Sequence, residues 1–522
     1  MAKNPKKRDC PALGRIIKRD DCGENRISNY PCPPDCEYNT FGLANYSDLL
    51  ELEAQLDDRL AQRLKREPKL AAKIDRMLRE AADHPQPDFL VHDTFMRHIY
   101  FTPGEAGRSV AQAYMEDEAG KLKNDMRILL CAKQQARVAL LEVREVLDEE
   151  RLQVVDLLQP AAGLLTVCDR SWAKRAVRYD LGITWRYSLP HFERIAGVVS
   201  EWMNFERDPL DVLLKITAHN AGPSELGETL DAWLLQNMEF VNSVMHDAAY
   251  QRQRLIYEGM DAMLCRATYE TKGNLDELIG RLTMEADVDD DTELSDEERA
   301  GGFIKVWDWF RPEGEAPPLM GREARVLLGR VFLSREDRWR VETFGEAKHG
   351  ELKEAFERCM DGKVAFSSER KDNIAGKTLA DHSQLAAENL KRVPPEFLEM
   401  LPDMDFSQSR IPVEVNEGEA FSTVRMREGQ LRSWVDEPIP LLGGATPREA
   451  SDDPEKRVEG IRLVKAMIRG LDQEALSAGE IADVDWIYDA LNLDEIRAAA
   501  PPAREAQARQ TFEGPNLNQQ VL

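Results

Sequence analysis

The chain has 522 residues, 42% of them apolar, with a formal net charge of −26 at pH 7. That length points to two to four domains with real cores, and the negative balance repels phosphate, which excludes a general nucleic-acid coat. No apolar run reaches the length of a membrane span, so no transmembrane helix is expected.

The first twenty residues run against this balance. They carry Lys3, Lys6, Lys7, Arg8, Arg15, Lys18 and Arg19 against only Asp9 and Asp20, with no apolar stretch of the signal-peptide kind. Such a run reads as a solvated tail or as a local patch that contacts nucleic acid. Behind it stand Cys10, Cys22, Cys32 and Cys36, spaced C-x11-C-x9-C-x3-C among Pro, Gly, Asn and Asp. Structural zinc takes four ligands and favours thiolates. Pro33, Pro34 and Asp35 preset a turn between the last two cysteines, and Cys22-Gly23 resembles a knuckle corner. Residues 1–46 are therefore expected to form a four-cysteine module with a structural Zn ion. An iron–sulfur cluster would use the same four thiolates, and two disulfides or unliganded thiols are the other readings. Cys131, Cys168, Cys265 and Cys359 are scattered singly and read as buried thiols.

Residues 47–150 read as a helical region. Ser47 is placed to cap a helix whose apolar residues are Leu49, Leu52, Leu56, Leu60 and Leu64, and Pro68 opens a second over 69–82. A linker follows at His84–Pro87, then an aromatic stretch over 89–101. The spacing of Met126, Leu129, Leu130, Leu140, Leu141 and Leu147 predicts one long helix over about 105–150.

Residues 151–312 read as an α+β block followed by helices. Strands are expected at Val154–Leu158, Leu164–Asp169, Thr184–Leu189 and Val212–Thr217, helix over 224–284, and an aromatic helix over 299–311. Within the block, Asp156, Asp169 and His191 would make a metal-dependent hydrolase or nuclease site if the fold brought them together. Asp287–Glu298 places acids at several calcium-loop positions, but Thr292 stands where that loop needs Gly, and Ser295-x-x-Glu298 is a capping box.

A ββαβ module is expected over 319–370: strands Arg325–Leu333 and Arg338–Phe344, helix Glu346–Met360, and a strand at Lys363–Phe366. An irregular connection over 371–432, a C-terminal helical segment over 433–500 and a disordered tail over 501–522 complete the chain. Thr446-Pro447-Arg448-Glu449 has the pattern of a helix start. No Walker A, H-E-x-x-H, G-x-S-x-G or dinucleotide fingerprint is present.

Residues 438–467 resemble a short segment near the C-termini of bacterial proteins of the SecC-like (SEC-C) metal-binding group, through Gly443, Gly444, Thr446, Pro447, Arg448 and Ala450. They are more distantly similar to the toxin-binding domain of Xre–ParS-type antitoxins. The 325–368 module resembles one that accompanies the segment, and the opening CPALGR…CGENR…YPCPPDC resembles the start of uncharacterised bacterial proteins with this layout. The metal motif of the SEC-C group itself is absent. The resemblance implies a bacterial, cytoplasmic, non-secreted protein. Taken together, the expected fold is α+β, mostly helical and multidomain. The expected function is that of a non-enzymatic zinc-containing protein binding another macromolecule, protein or nucleic acid, with the Asp156, Asp169, His191 hydrolase as the alternative.

Overall fold

The structure, a computed structural model, describes residues 7–81, 87–104, 107–118, 120–197, 199–201, 208–221, 230–259, 263–290, 292–311, 327–373, 390–397, 432, 434–439 and 442–504. Helices and sheets are mixed, an α+β chain, and it divides into two compact units. One comprises Met1–Met245 with Ala450–Ala508, the other His246–Glu449 with Arg509–Leu522.

The first unit opens on an antiparallel hairpin, β1 (Lys7–Cys10) and β2 (Arg15–Lys18), in which Lys7 faces Lys18 and Cys10 faces Arg15. Helices follow at Tyr46–Leu64, Pro68–Ala81, Pro87–Met96, Val110–Glu118 and Asn124–Gln134. The leucine stripe of the first is real, with Leu49, Leu56 and Leu60 fully buried, but its cap is Asn45 rather than Ser47.

The long helix expected over 105–150 is not formed. Its second half is β3 (Arg137–Val146), buried along most of its length. Six more or less continuous apolar positions satisfy helical and strand periodicity alike, and the β-branched Val138 and Val143 favour the strand. β3 opens a barrel with β4 (Arg151–Asp156), β5 (Leu164–Cys168), β6 (Leu181–Ser188), β7 (Glu193–Ile195) and β8 (Ser200–Glu201). The order is β3-β4-β5-β7-β6, and β6 pairs back onto β3 and closes the ring, while β8 adds to β6. Only β5 and β7 are parallel. A meander whose fourth strand returns beside the first is a Greek key, and five strands closed this way are the build of an OB-type barrel. That likeness is architectural and carries no activity. The barrel core comprises Leu141, Val143, Leu152, Val154, Val167, Trp172 and Ile195.

Val212–Thr217, expected as a strand, lies in the helix Pro209–Asn220. Asp208 caps it, accepting from the backbone N–H groups of Leu210 and Asp211, and Pro209 occupies the first turn. The region read as a separate C-terminal segment packs, from Ala450 on, into this first unit. From the helix Arg457–Ala478, Asp472 takes both of its hydrogen bonds from Arg178, at 2.7 and 2.6 Å, with both side chains buried. Arg469 reaches Asp180 at 2.7 Å, and Lys465 reaches Glu142 at 2.9 Å. Order extends past Pro501, where the tail was expected to begin: Arg504 donates to the carbonyls of Ala173, Lys174 and Ala176. The rest of that tail lies outside the described residues.

The second unit is a wholly antiparallel sheet of β9 (Met263–Thr271), β10 (Val288–Asp289), β11 (Phe303–Phe310), β12 (Leu327–Ser334), β13 (Arg338–Phe344) and β14 (Val364–Asn373), in the order β10-β11-β12-β13-β9-β14. The helices Leu275–Thr283 and Glu346–Met360 bury Leu278, Leu282, Leu352 and Phe356 against Trp307, Trp309, Val331, Trp339 and Val341. The aromatic helix expected over 299–311 is thus β11. Its Trp307 and Trp309 are two apart and share one face, which is strand periodicity. The helix expected over 224–284 is interrupted by β9. The two strands and the helix of the module stand where expected, but β14 pairs with β9, which separates it from β13. Of the connection expected over 371–432, residues 371–373 extend β14, 390–397 form short turns, and 374–389 and 398–431 lie outside the described residues.

The acidic stretch does not fold as a calcium loop. Val288 and Asp289 pair with Trp309 and Asp308 in the sheet, and Asp290 is held by Lys305 at 3.1 Å. Ser295 and Glu298 form the capping box, each side chain on the other's backbone N–H. Among the described residues no helix is long and apolar enough to cross a membrane.

Candidate functional site

The four N-terminal cysteines come from separate pieces of one small module. Cys10 ends β1, and Cys22 lies in the short helix Arg19–Asn25. Cys32 follows the bridge between Arg26 and Tyr30, and Cys36 closes the turn in which its N–H donates to the carbonyl of Pro33 at 3.3 Å. All four are buried, and all eight cysteines of the chain are free thiols. The module's apolar cluster consists of Cys10, Ile17 and Cys22, with Ala12, Leu13, Tyr30 and Tyr38 packed against it.

The thiols sense one another. Burial pushes the Cys32 thiol above its ordinary range, the backbone N–H of Ile27 opposes this by donating to it, and Cys36, Cys22 and Cys10 each push it further up. Adjacent thiolates repel, so each disfavours ionisation of the next. Ile27 has φ 62°, a left-handed conformation that a β-branched residue adopts at a cost. The strain coincides with an N–H aimed at a candidate ligand. Arg8 lies 3.4 Å from the Cys22 sulfur, with its guanidinium 4.5 Å from the centre of the Tyr38 ring. Neither contact has a local signature in the chain. The donor set is of the type zinc takes, gathered but not closed: among the described residues no three His, Cys, Asp or Glu side chains are placed to hold a metal ion.

The module is seated on the N-terminal end of the helix Asn124–Gln134. Arg26 bonds Asp125 at 2.9 Å, Asn124 donates to the Arg26 carbonyl at 2.7 Å, and Ser28 donates to Asn124. His191 adds a contact from the β6–β7 turn, its Nε2 2.8 Å from the Cys32 carbonyl.

Asp156, Asp169 and His191 do not form one cleft. Arg151 faces Cys168 and Val155 faces Leu164 across the β4–β5 pair, so the two aspartates lie at opposite ends of that pair, about 20 Å apart at strand rise. Asp156 is fully buried and holds Arg186 at 2.8 Å. Asp169 caps the helix Arg170–Arg175 through the Trp172 N–H and also holds Arg194. His191 is on the cysteine module. Each is used in building the fold. The thiol at Cys131 is exposed, against the expectation of burial.

The second unit has a cavity of about 780 Å³ on the helix side of its sheet, with Trp309, Leu328 and Cys359 among its lining and Arg281, Arg311 and Arg358 among its charges. Two of these arginines are already matched, Arg311 by Glu351 at 2.9 Å and Arg281 by Glu277 at 3.2 Å.

No family model matches this chain, and no curated protein or solved structure is significantly similar to it.

Proposed function

We propose that the protein is a non-enzymatic, zinc-containing binding protein of the bacterial cytoplasm, in which Cys10, Cys22, Cys32 and Cys36 hold a structural Zn ion and the units behind them present surfaces to another macromolecule. One observation carries the metal: four buried, unpaired thiols from four chain segments act together on the Cys32 thiol. Buried thiolates side by side are costly, and a dication removes that cost by accepting them as ligands. A module with so small an apolar cluster gains from such an ion much of the folding energy its core lacks, about 10–16 kcal/mol in small zinc modules. Thiolate zinc sites suit a reducing compartment, and the likeness of 438–467 to the SEC-C group fits a bacterial setting.

Elemental analysis of purified protein tests this. The expected result is close to one zinc per chain, lost in C32S, with residues 7–45 becoming protease-sensitive while the barrel stays resistant. Stoichiometric iron with visible absorbance would mean a cluster instead. A metal-free preparation in which residues 7–45 resist protease would overturn the reading.

A further inference from the structure

We propose that the β1–β2 hairpin is a nucleic-acid-binding ribbon that meets the phosphates of a duplex through Lys7, Lys18 and Arg19. This names a partner for the binding role above. Its argument rests on the register and charge of the hairpin, and it does not need the metal.

In the hairpin, residues directly opposite share a face. Lys7 and Lys18 form one such pair and Asp9 and Ile16 the next, and all four are exposed, Ile16 at 67%. Arg8, Cys10 and Ile17 turn the other way, toward Tyr38 and Cys22. Arg19 follows Lys18 and is exposed, whereas Arg15, also exposed, stands opposite Cys10 at the turn end of the other face. None of Lys7, Lys18 and Arg19 makes an ion pair among the described residues. Several basic side chains elsewhere are matched by carboxylates, as with Arg186, Arg194, Arg266 and Arg311. An acidic chain that leaves these cations unmatched on one small ribbon leaves them for an external anion.

The net charge of −26 does not oppose this at contact. Charges more than about 8 Å away are largely screened at physiological ionic strength, so the hairpin's own residues decide. A two-stranded ribbon also fits the major groove, which is about 12 Å wide. A lipid surface is the weaker match: Ile16 is a single apolar side chain with Asp9 directly opposite, and one such residue gives about 1.5–3 kcal/mol, short of stable anchoring. Asp9 on this face repels phosphate, as does the exposed Asp20 next to Arg19.

The test uses the full chain as purified and a fluorescent DNA duplex of about 20 base pairs, with binding followed by anisotropy from about 25 to 200 mM salt. Three phosphate contacts predict a slope of log K against log salt of about −2 to −3. K7E/K18E should weaken binding by about tenfold or more and reduce the slope by about 2, with metal content and melting temperature unchanged. D9N should bind more tightly than the parent. Absence of binding at the lowest salt, an unchanged affinity in K7E/K18E, or capture by phosphatidylserine vesicles without capture by DNA would each overturn the proposal. Metal-free protein whose DNA binding still maps to Lys7 and Lys18 would support it while removing the zinc reading.

Discussion

Asp93 is buried against β6, accepting a hydrogen bond from the Trp185 indole N–H at 2.9 Å and lying 3.3 Å from Arg97. Burial pushes its carboxyl up from 3.8 to about 6, against the pull of Arg97 and the indole. The folded state therefore holds a proton between these values that the unfolded state has released. Its contribution to stability is fully present below 3.8 and is lost as pH rises through about 6, on the order of 3 kcal/mol in all. In D93N that loss should vanish, so the variant should gain on the parent in urea midpoint between about pH 4.5 and 7.5. Equal differences at both values would show that Asp93 is ionised in the folded protein at acid pH. Arg178 and Asp472 make a different case, two buried charges that satisfy each other. Removing one strands the other, so D472A should cost about 3–5 kcal/mol in urea unfolding, and R178M/D472L should cost less than D472A. Thiol chemistry separates along the same lines. Burial pushes Cys168 and Cys359 up to about 12, so at pH 8 the exposed Cys131 should alkylate first, as peptide mass mapping would show. If they hold zinc as proposed, the four module cysteines should react only after chelation.

At the scale of elements, close approach explains β12. A Cβ on Gly329 would lie 2.4 Å from the Glu342 carbonyl oxygen and 2.8 Å from Leu352, because the strand is pressed between β13 and the Glu346–Met360 helix. G329A should cost about 1–3 kcal/mol, and hydrogen exchange should show the loss in β9–β14 while the barrel keeps its protection. Local signals that the sequence carries in full were legible. Thr446 and Glu449 do form a reciprocal capping box, at 2.9 and 3.1 Å, and the β12–β13 turn at Ser334–Asp337 stands where alternation and turn residues placed it. What failed was any element whose identity depends on distant partners. β3 and β11 look helical until both faces are covered, and nothing local marks β9 as the strand that separates β13 from β14. Asp208-Pro209 was a readable helix start that the apolar run after it concealed. At the site, the cysteines and their turn residues were visible, whereas the Ile27 strain and the Arg8 approach depend on folding around Tyr38 and Tyr30. Asp156 and Asp169 were a pair only in sequence, since antiparallel pairing of the strands that carry them sends them apart.

At the scale of the molecule, the first unit is discontinuous in sequence. Its barrel is complete by Glu201, yet Arg178, Tyr179 and Asp180 find their partners in Asp472, Tyr488 and Arg469. Deleting residues 450–508 removes no barrel strand, and it should nonetheless leave the first unit protease-sensitive, with Arg178 lacking its counter-charge. A truncated chain as resistant as the parent would show that those helices are accessory. The outer edge of the second unit is guarded differently. β14 exposes Glu369, Arg370 and Lys371, charges that discourage another strand from adding.

The discontinuity also sets a schedule for synthesis. The ribosome finishes the barrel strands, then must translate roughly 270–290 more residues before Asp472 and Tyr488, which cover Arg178 and Tyr179, are made, an interval of about 14–57 s at ordinary elongation rates. Throughout it the nascent chain carries an uncovered guanidinium and tyrosine face while the inserted sheet is free to fold to completion. The first part of the chain to be made is thus among the last to be finished, and a nascent-chain holdase would have its longest engagement there.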